Sequence, residues 1–269
     1  MWKKISIVFL ALIILSIFAA GCSTNNAMSA STASLTPALI TETTVATLTP
    51  TPEATTTGII SPKEALGLMF GKDSTFSEDG TKVEVTLENG YKSWIEINSL
   101  ICFWEHESEK CIVITSRSEG KCHICGVHIQ GAIFKKTSKE WAMIKFDPQI
   151  AFIGSFGYIS KGELIHIGDE KYAILLRSGY GNLGYSNTHT TIIAETNESL
   201  GVVLDYFPNE ARDTTWKFMS ELNFYPDENN GDYYKIVITY FGTDKTGKTP
   251  PTQIYTFSGT EYVLLDKQK

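Results

Sequence analysis

The sequence predicts a mainly β fold with one short helix at the start of its folded part. Three observations lead there. After Phe70 no stretch keeps a 3.6-residue apolar rhythm; short runs rich in Val, Ile, Tyr, Phe and Thr follow one another; and Gly, Asn and Asp punctuate them. The missing helices argue against the alternating βαβ order of a doubly wound sheet. A sandwich, a barrel or a small propeller-like arrangement remains.

The helix comes first. Ser61-Pro62-Lys63-Glu64 offers a capping hydroxyl, a proline at the first helical position and a glutamate at the capping-box position. Ala65, Leu66, Met69 and Phe70 then share a face, and Gly71 supplies a stop. Strands are expected at 82–87 and 92–97, on either side of the Asn89-Gly90 turn signal. Further strands are expected at 111–115, 127–135, 141–146, 171–177, 190–196, 200–206, 218–225, 233–241, 253–257 and 261–265. Residues 61–269 therefore read as a single β-rich domain.

What precedes it is an address and a tether. Lys3 and Lys4 lead into an apolar stretch over residues 5–20, interrupted only by Ser6 and Ser16. That is shorter than the ~20 residues a bilayer-spanning helix needs and suits a signal-peptide core. It ends in Ala19-Ala20-Gly21-Cys22, which resembles the lipobox of bacterial lipoproteins, with Ala19 where that family most often has Leu. The resemblance implies removal of residues 1–21 and a lipid on Cys22, hence anchoring to the bacterial cell membrane on its extracytoplasmic side. Ordinary cleavage at the small residues, or a retained anchor, are the alternatives; each also places the chain outside the cytoplasm.

Residues 22–60 hold 12 Thr, 4 Ser and 3 Pro, no aromatic side chain, and only Glu42 and Glu53 as charges. Such a segment cannot bury enough apolar area to offset its ordering entropy. It reads as a disordered linker reaching roughly 35 Å as a flexible coil.

Charge narrows the partners. Loss of Lys3 and Lys4 with the leader takes the net charge from −7 to −9. A nucleic-acid partner is excluded on that balance, because binding phosphates needs a concentrated basic surface.

Four cysteines remain after Cys22: Cys102, Cys111, Cys122 and Cys125, all within 24 residues. An even number in an oxidising compartment reads as disulfides, with three possible connectivities. A zinc site is the alternative, with His106, His123 and His128 close in sequence to those thiols, although the spacing between Cys102 and Cys111 is not that of a zinc ribbon. Thiol–disulfide chemistry at Cys122-His123-Ile124-Cys125 is a third reading. It lacks the following helix that usually lowers a thiol pKa.

Other motifs lead nowhere specific. Gly179-Tyr180-Gly181-Asn182-Leu183-Gly184 matches the dinucleotide fingerprint in letters, but a strand follows where a helix is required, so a glycine-rich hairpin is expected. The run 227–232 is oxygen-rich without the EF-hand register and reads as a solvated turn. His166 and His189 lie in strand-like alternation and read as partly buried residues. Trp94, Trp104, Trp141 and Trp216, with Tyr180, Tyr185, Tyr233 and Tyr234, would suit a sugar-stacking sheet face; ordinary core use is the competing reading.

From about Gly120 onward the chain resembles a group of secreted bacterial domains with no assigned activity. The shared features are Cys122-His123-Ile124-Cys125, Ala132-Ile133-Phe134, Trp141, Gly154-Ser155-Phe156-Gly157, the loop from Gly179 to Tyr185, and Tyr255-Thr256-Phe257 before Gly259 and Tyr262. The resemblance implies one continuous domain and brings no catalytic residue. The sequence thus leads to a lipid-anchored extracytoplasmic module. Its partners would be the membrane, through Cys22, and an envelope polymer or protein. No cofactor is expected unless the cysteines hold zinc.

Overall fold

The structure, a computed structural model, describes residues 58–265 apart from 121, 123, 124, 155, 156, 183, 184, 198 and 213–215; the side chains of 180–182 and 185 are also outside the description. These residues belong to one compact unit. Cys22 and the leader and tether expectations lie outside the described residues, except at 58–60. Among the described residues no helix is long and apolar enough to cross a membrane.

The capping motif forms as read. Helix α1 spans Pro62–Phe70; the Ser61 side chain accepts from the Glu64 amide, and the Gly71 amide donates to the Gly67 carbonyl. Packing starts slightly earlier, because Ile60 is already buried and the Trp141 indole donates to the Gly58 carbonyl at 3.0 Å.

Among the described residues thirteen strands follow, and every strand pairing is between chain neighbours. The first sheet is the antiparallel meander β1(Lys82–Thr86), β2(Lys92–Glu105), β3(Ser108–Ser118), β4(Val127–Lys136) and β5(Trp141–Ile153). The second comprises β6(Glu163–Gly168), β7(Lys171–Asn182), β8(Tyr185–Glu195), β9(Leu200–Arg212), β10(Trp216–Pro226), β11(Tyr234–Thr243), β12(Gln253–Phe257) and β13(Tyr262–Leu264). The mainly β expectation with one short helix is met. Strand β6 was not among the expected strands, although His166 was read as lying in strand-like alternation; it is short and its register shifts between His166 and Gly168.

Side-chain alternation explains the layers. Helix α1 covers one face of the first sheet, where Ile60, Ala65 and Met69 pack on Cys111, Val113, Ala132, Phe134 and Trp141. The opposite face, with Ile112, Ile114, Ile129 and Ile133, packs on Ile174, Leu176 and Ile193 of the second sheet. The alternate residues of β7 and β8, Ala173, Leu175, Ile192 and Ala194, face the other way and share a core with Ile236, Ile238, Phe257 and Tyr262. The second sheet is therefore rolled onto itself. Strand β10 pairs with β9 only over Trp216–Met219, which lets β10 to β13 fold back.

Two contacts hold the roll. The Tyr262 hydroxyl donates to the Ile167 carbonyl at 3.1 Å, joining β13 to β6. At Gly168 an added Cβ would lie 1.9 Å from the Asp232 carbonyl oxygen, so the β10–β11 loop closes there only on glycine. That loop is not merely solvated. The Asp227 side chain is 1% exposed, accepts from the Thr256 hydroxyl at 2.6 Å and the Asn229 amide at 3.0 Å, and faces Lys235 at 3.4 Å. Burial pushes its pKa up, but those donors and Lys235 outweigh it and hold the carboxyl below its ordinary value.

Candidate functional site

Where the two sheets diverge, a cleft of about 300 Å³ opens between β2, β3 and β5 on one side and β6 to β8 on the other. Three of its charged residues continue inward-facing apolar rows by one step of the two-residue period: Glu105 follows Phe103, Lys110 precedes Ile112, and Glu195 follows Ile193. Lys145 is the register partner of Ile133. Those three rows are apolar in the core and ionic at the cleft.

These side chains form one chain of ion pairs. Lys110 binds Glu105 and, at 3.0 Å, Glu195; Lys145 reaches Glu195 at 3.3 Å; Lys171 reaches Glu105 at 3.6 Å. Lys145 also donates to the Thr196 carbonyl. The order is Lys145–Glu195–Lys110–Glu105–Lys171, with lysines at both ends. Burial is deep at the centre, where the Glu105 side chain is 9% exposed and Lys110 15%, and shallower at Lys145 and Lys171, at 23% and 27%. Burial disfavours the Lys110 ammonium, but Glu105 and Glu195 outweigh it and raise its pKa. Burial likewise works against the Glu195 carboxylate, and Lys110 and Lys145 outweigh it, so its pKa is lowered. Both groups stay charged at neutral pH.

Aromatic rings line the same cleft. Tyr172 lies between Phe103, at a centroid distance of 4.4 Å, and His166, at 4.5 Å. Tyr233 stacks on Phe257 at 3.9 Å and receives the Lys171 ammonium over its ring at 5.9 Å. Burial raises the pKa of both Tyr172 and Tyr233, with nearby Glu105 adding to it, so their phenols are neutral donors.

The mouth is set by strained turns. His106 and Glu107, at φ 45° and 61°, make the turn between β2 and β3, and Glu170, at φ 52°, belongs to the turn between β6 and β7. These are the non-glycine residues at positive φ among the described residues, a conformation costing roughly 1 kcal/mol or more apiece. Glu170 accepts from the His106 amide at 3.1 Å and meets its Nδ1 at 2.6 Å, joining the two turns.

No family model, curated protein or solved structure gives a significant match to this chain. The function must be argued from the site.

The cysteines form two disulfides, Cys102–Cys111 and Cys122–Cys125. The first joins direct register partners on β2 and β3; the second lies in the β3–β4 loop. In this arrangement the bridged sulfurs offer no thiolate for the zinc alternative, His106 meets Glu170, and His128 pairs with Glu119 at 2.8 Å. His123 lies outside the described residues. Among the described residues no group of three or more His, Cys, Asp or Glu side chains could hold a metal ion.

The aromatic residues do not make one face. Trp141 is buried under α1. The irregularity between Ile97 and Ser99 flips the alternation of β2, so Trp104 lies on the helix side of the sheet and Trp94 on the other. Gly179 and Gly181 of the dinucleotide-like run lie on β7, Asn182 pairs with Tyr185, and strand β8 rather than a helix follows. Sequence reasoning missed the cleft because its five ionic residues come from five strands. The usable signal was a charge at the end of an inward apolar row.

Proposed function

We propose that this chain is a non-catalytic binding module of the bacterial cell envelope, tethered outside the cytoplasm by a lipid on Cys22. In this reading the cleft takes a small carboxylate-bearing envelope component, such as an acidic sugar. One observation carries it. Three ammonium groups face two carboxylates in a water-accessible cleft, and the terminal lysines keep free donor capacity. A ligand carboxylate would complete the alternation, and the Tyr172 and Tyr233 rings would pack on its apolar faces. The tether would let the domain reach beyond the headgroups. The leader and Cys22 support the anchor through sequence alone.

Calorimetry on the full-length, detergent-solubilised protein tests the ligand class, with glucuronate and N-acetylmuramate compared with N-acetylglucosamine. Binding of the acids only, weakened by salt and abolished by Lys171→Met, is the expected result. Equal binding of acidic and neutral sugars, or of neither, overturns it. An unmodified Cys22 in the mature protein, read by mass spectrometry, overturns the anchor.

A further inference from the structure

The two disulfides differ in what surrounds them, and the difference points to a second site. Cys111 has no exposed surface, and the half-buried Cys102 packs against the core between the first sheet and α1, with Val113, Ala132, Phe134 and Trp141. Disulfide exchange needs a thiolate to reach a sulfur, and none can reach Cys111 while the domain is folded. Cys122 is exposed and Cys125 half-buried.

The Cys122–Cys125 loop is held by contacts that do not use its sulfurs. The Glu119 amide donates to the Gly126 carbonyl at 3.2 Å, closing the loop at its base. The Cys125 amide donates to the Cys122 carbonyl at 3.0 Å, and the Gly157 amide to the Cys125 carbonyl at 2.8 Å. The Ser118 hydroxyl caps both the amide, at 3.1 Å, and the carbonyl, at 2.9 Å, of Gly120. A bridge between residues three apart also restrains the unfolded chain less than a longer one. Breaking this bond therefore leaves both cysteines in place, ready to re-form it.

The surroundings suit docking of another protein's thiol. Phe152 and Tyr158, 53% and 71% exposed, flank the segment whose Gly157 amide holds Cys125. The Phe152 ring lies over the loop: an added Cβ on Gly126 would fall 2.4 Å from it. It also packs on His128 at 4.8 Å, while His128 pairs with Glu119 at 2.8 Å. An accessible sulfur is thus bordered by exposed aromatic surface of the kind protein contacts use.

We propose that Cys122–Cys125 is a thiol–disulfide exchange site that accepts electrons from the dithiol of an extracytoplasmic redox protein, with the Cys122 sulfur as the atom attacked. The direction follows from the local structure. Both sulfurs are bridged, so the domain offers no thiolate of its own here; the nucleophile comes from the partner, and electrons flow toward this domain. The partner thiolate attacks Cys122 Sγ; the disulfide breaks, its electron pair goes to Cys125 Sγ, and that thiolate takes a proton. The partner's second thiolate then attacks its own sulfur in the mixed disulfide, and Cys122 Sγ leaves and is protonated. Two electrons pass to this domain, and the partner becomes a disulfide.

The test uses the full chain in detergent. Graded dithiothreitol is followed by differential alkylation and peptide mass spectrometry, with near-ultraviolet circular dichroism recorded in parallel. A thioredoxin-type protein lacking its resolving cysteine serves as a trap for the mixed disulfide. The expected result is reduction of Cys122–Cys125 on the order of tenfold faster than Cys102–Cys111, with unchanged dichroism and a trapped species mapping to Cys122. Reduction of both bridges together with unfolding overturns the proposal, as does a trap on Cys125 or no trapped species. Cys102→Ser/Cys111→Ser serves as a second variant: if it folds, it must still give the trapped species.

Discussion

Replacing Lys110 by Met removes the central charge of the ionic chain while keeping side-chain length, so it tests electrostatics without opening a large cavity. Among the described residues Lys110 alone bridges Glu105 and Glu195, whose side chains are 9% and 29% exposed. Breaking a fully buried pair costs about 3–5 kcal/mol, because a charge is left uncompensated. Here Lys171 at 3.6 Å and Lys145 at 3.3 Å still face one carboxylate each, and the site reaches water. The expected loss is therefore about 2–3 kcal/mol at pH 7, or about 5–10 °C in Tm for a domain of this size. The pH dependence carries the argument. Glu195 has a lowered folded pKa, so its contribution is present above the unfolded value near ~4.3 and is lost as pH falls through the folded one. Lys110 has a raised folded pKa, so its contribution is present below ~10.4 and lost as pH rises through the folded value. Guanidinium denaturation of wild type and Lys110→Met at pH 7 and ~3.5 should show the difference shrink by about 1 kcal/mol in acid. A penalty equal at the two pH values, or below about 0.5 kcal/mol at pH 7, would refute the reasoning.

Four further outcomes are expected. His166 is held neutral by burial, and its Nε2 has no hydrogen-bond partner, so its contribution to stability is present above ~6.5 and lost as pH falls; His166→Phe should flatten the stability profile between pH 7 and 5.5, and an unchanged slope would contradict this. Gly168→Ala should cost about 2 kcal/mol or more in urea denaturation by forcing the Asp232 carbonyl off β6, and a loss under about 0.5 kcal/mol would mean the loop is not closed there. Cys102→Ser/Cys111→Ser should lower stability by about 2–3 kcal/mol under oxidising conditions. The five-residue variant Glu105→Leu/Lys110→Met/Lys145→Met/Lys171→Met/Glu195→Leu, which removes the whole ionic chain, should match wild-type stability within about 1 kcal/mol yet bind no acidic sugar in calorimetry; retained binding would remove the cleft from the proposed function.

The fold was legible wherever local chemistry decides it. Ser61, Pro62 and Gly71 marked the helix, and Asn89-Gly90 marked the first hairpin, because caps and tight turns are set by a few adjacent residues. Strand lengths were less legible. The expected strand at 92–97 continues to Glu105, because the irregularity after Ile97 breaks the alternation without ending the pairing. Strand β5 runs on past Pro148, which a sheet tolerates because β5 is an edge. The rolling of the second sheet had no sequence signal, since it follows from where β9 stops pairing with β10.

Stability alone does not call for the ionic chain. Its neighbours Phe103, Ile112 and Ile193 already belong to the main core, and well-packed apolar residues in place of buried ion pairs are commonly neutral or stabilising. A chain of five charges is also a demanding solution: each member relies on the next, so a single loss leaves a neighbour under-compensated. The strained turns at His106, Glu107 and Glu170 impose a second cost at the same end of the domain. Two unfavourable features at the mouth of one water-accessible cleft, with lysines as the outermost charges, fit the proposed anion site better than a core. The position is informative too. The inward rows that build the core deliver the charges to the point where the sheets separate, so the packing that stabilises the domain also holds the site in register.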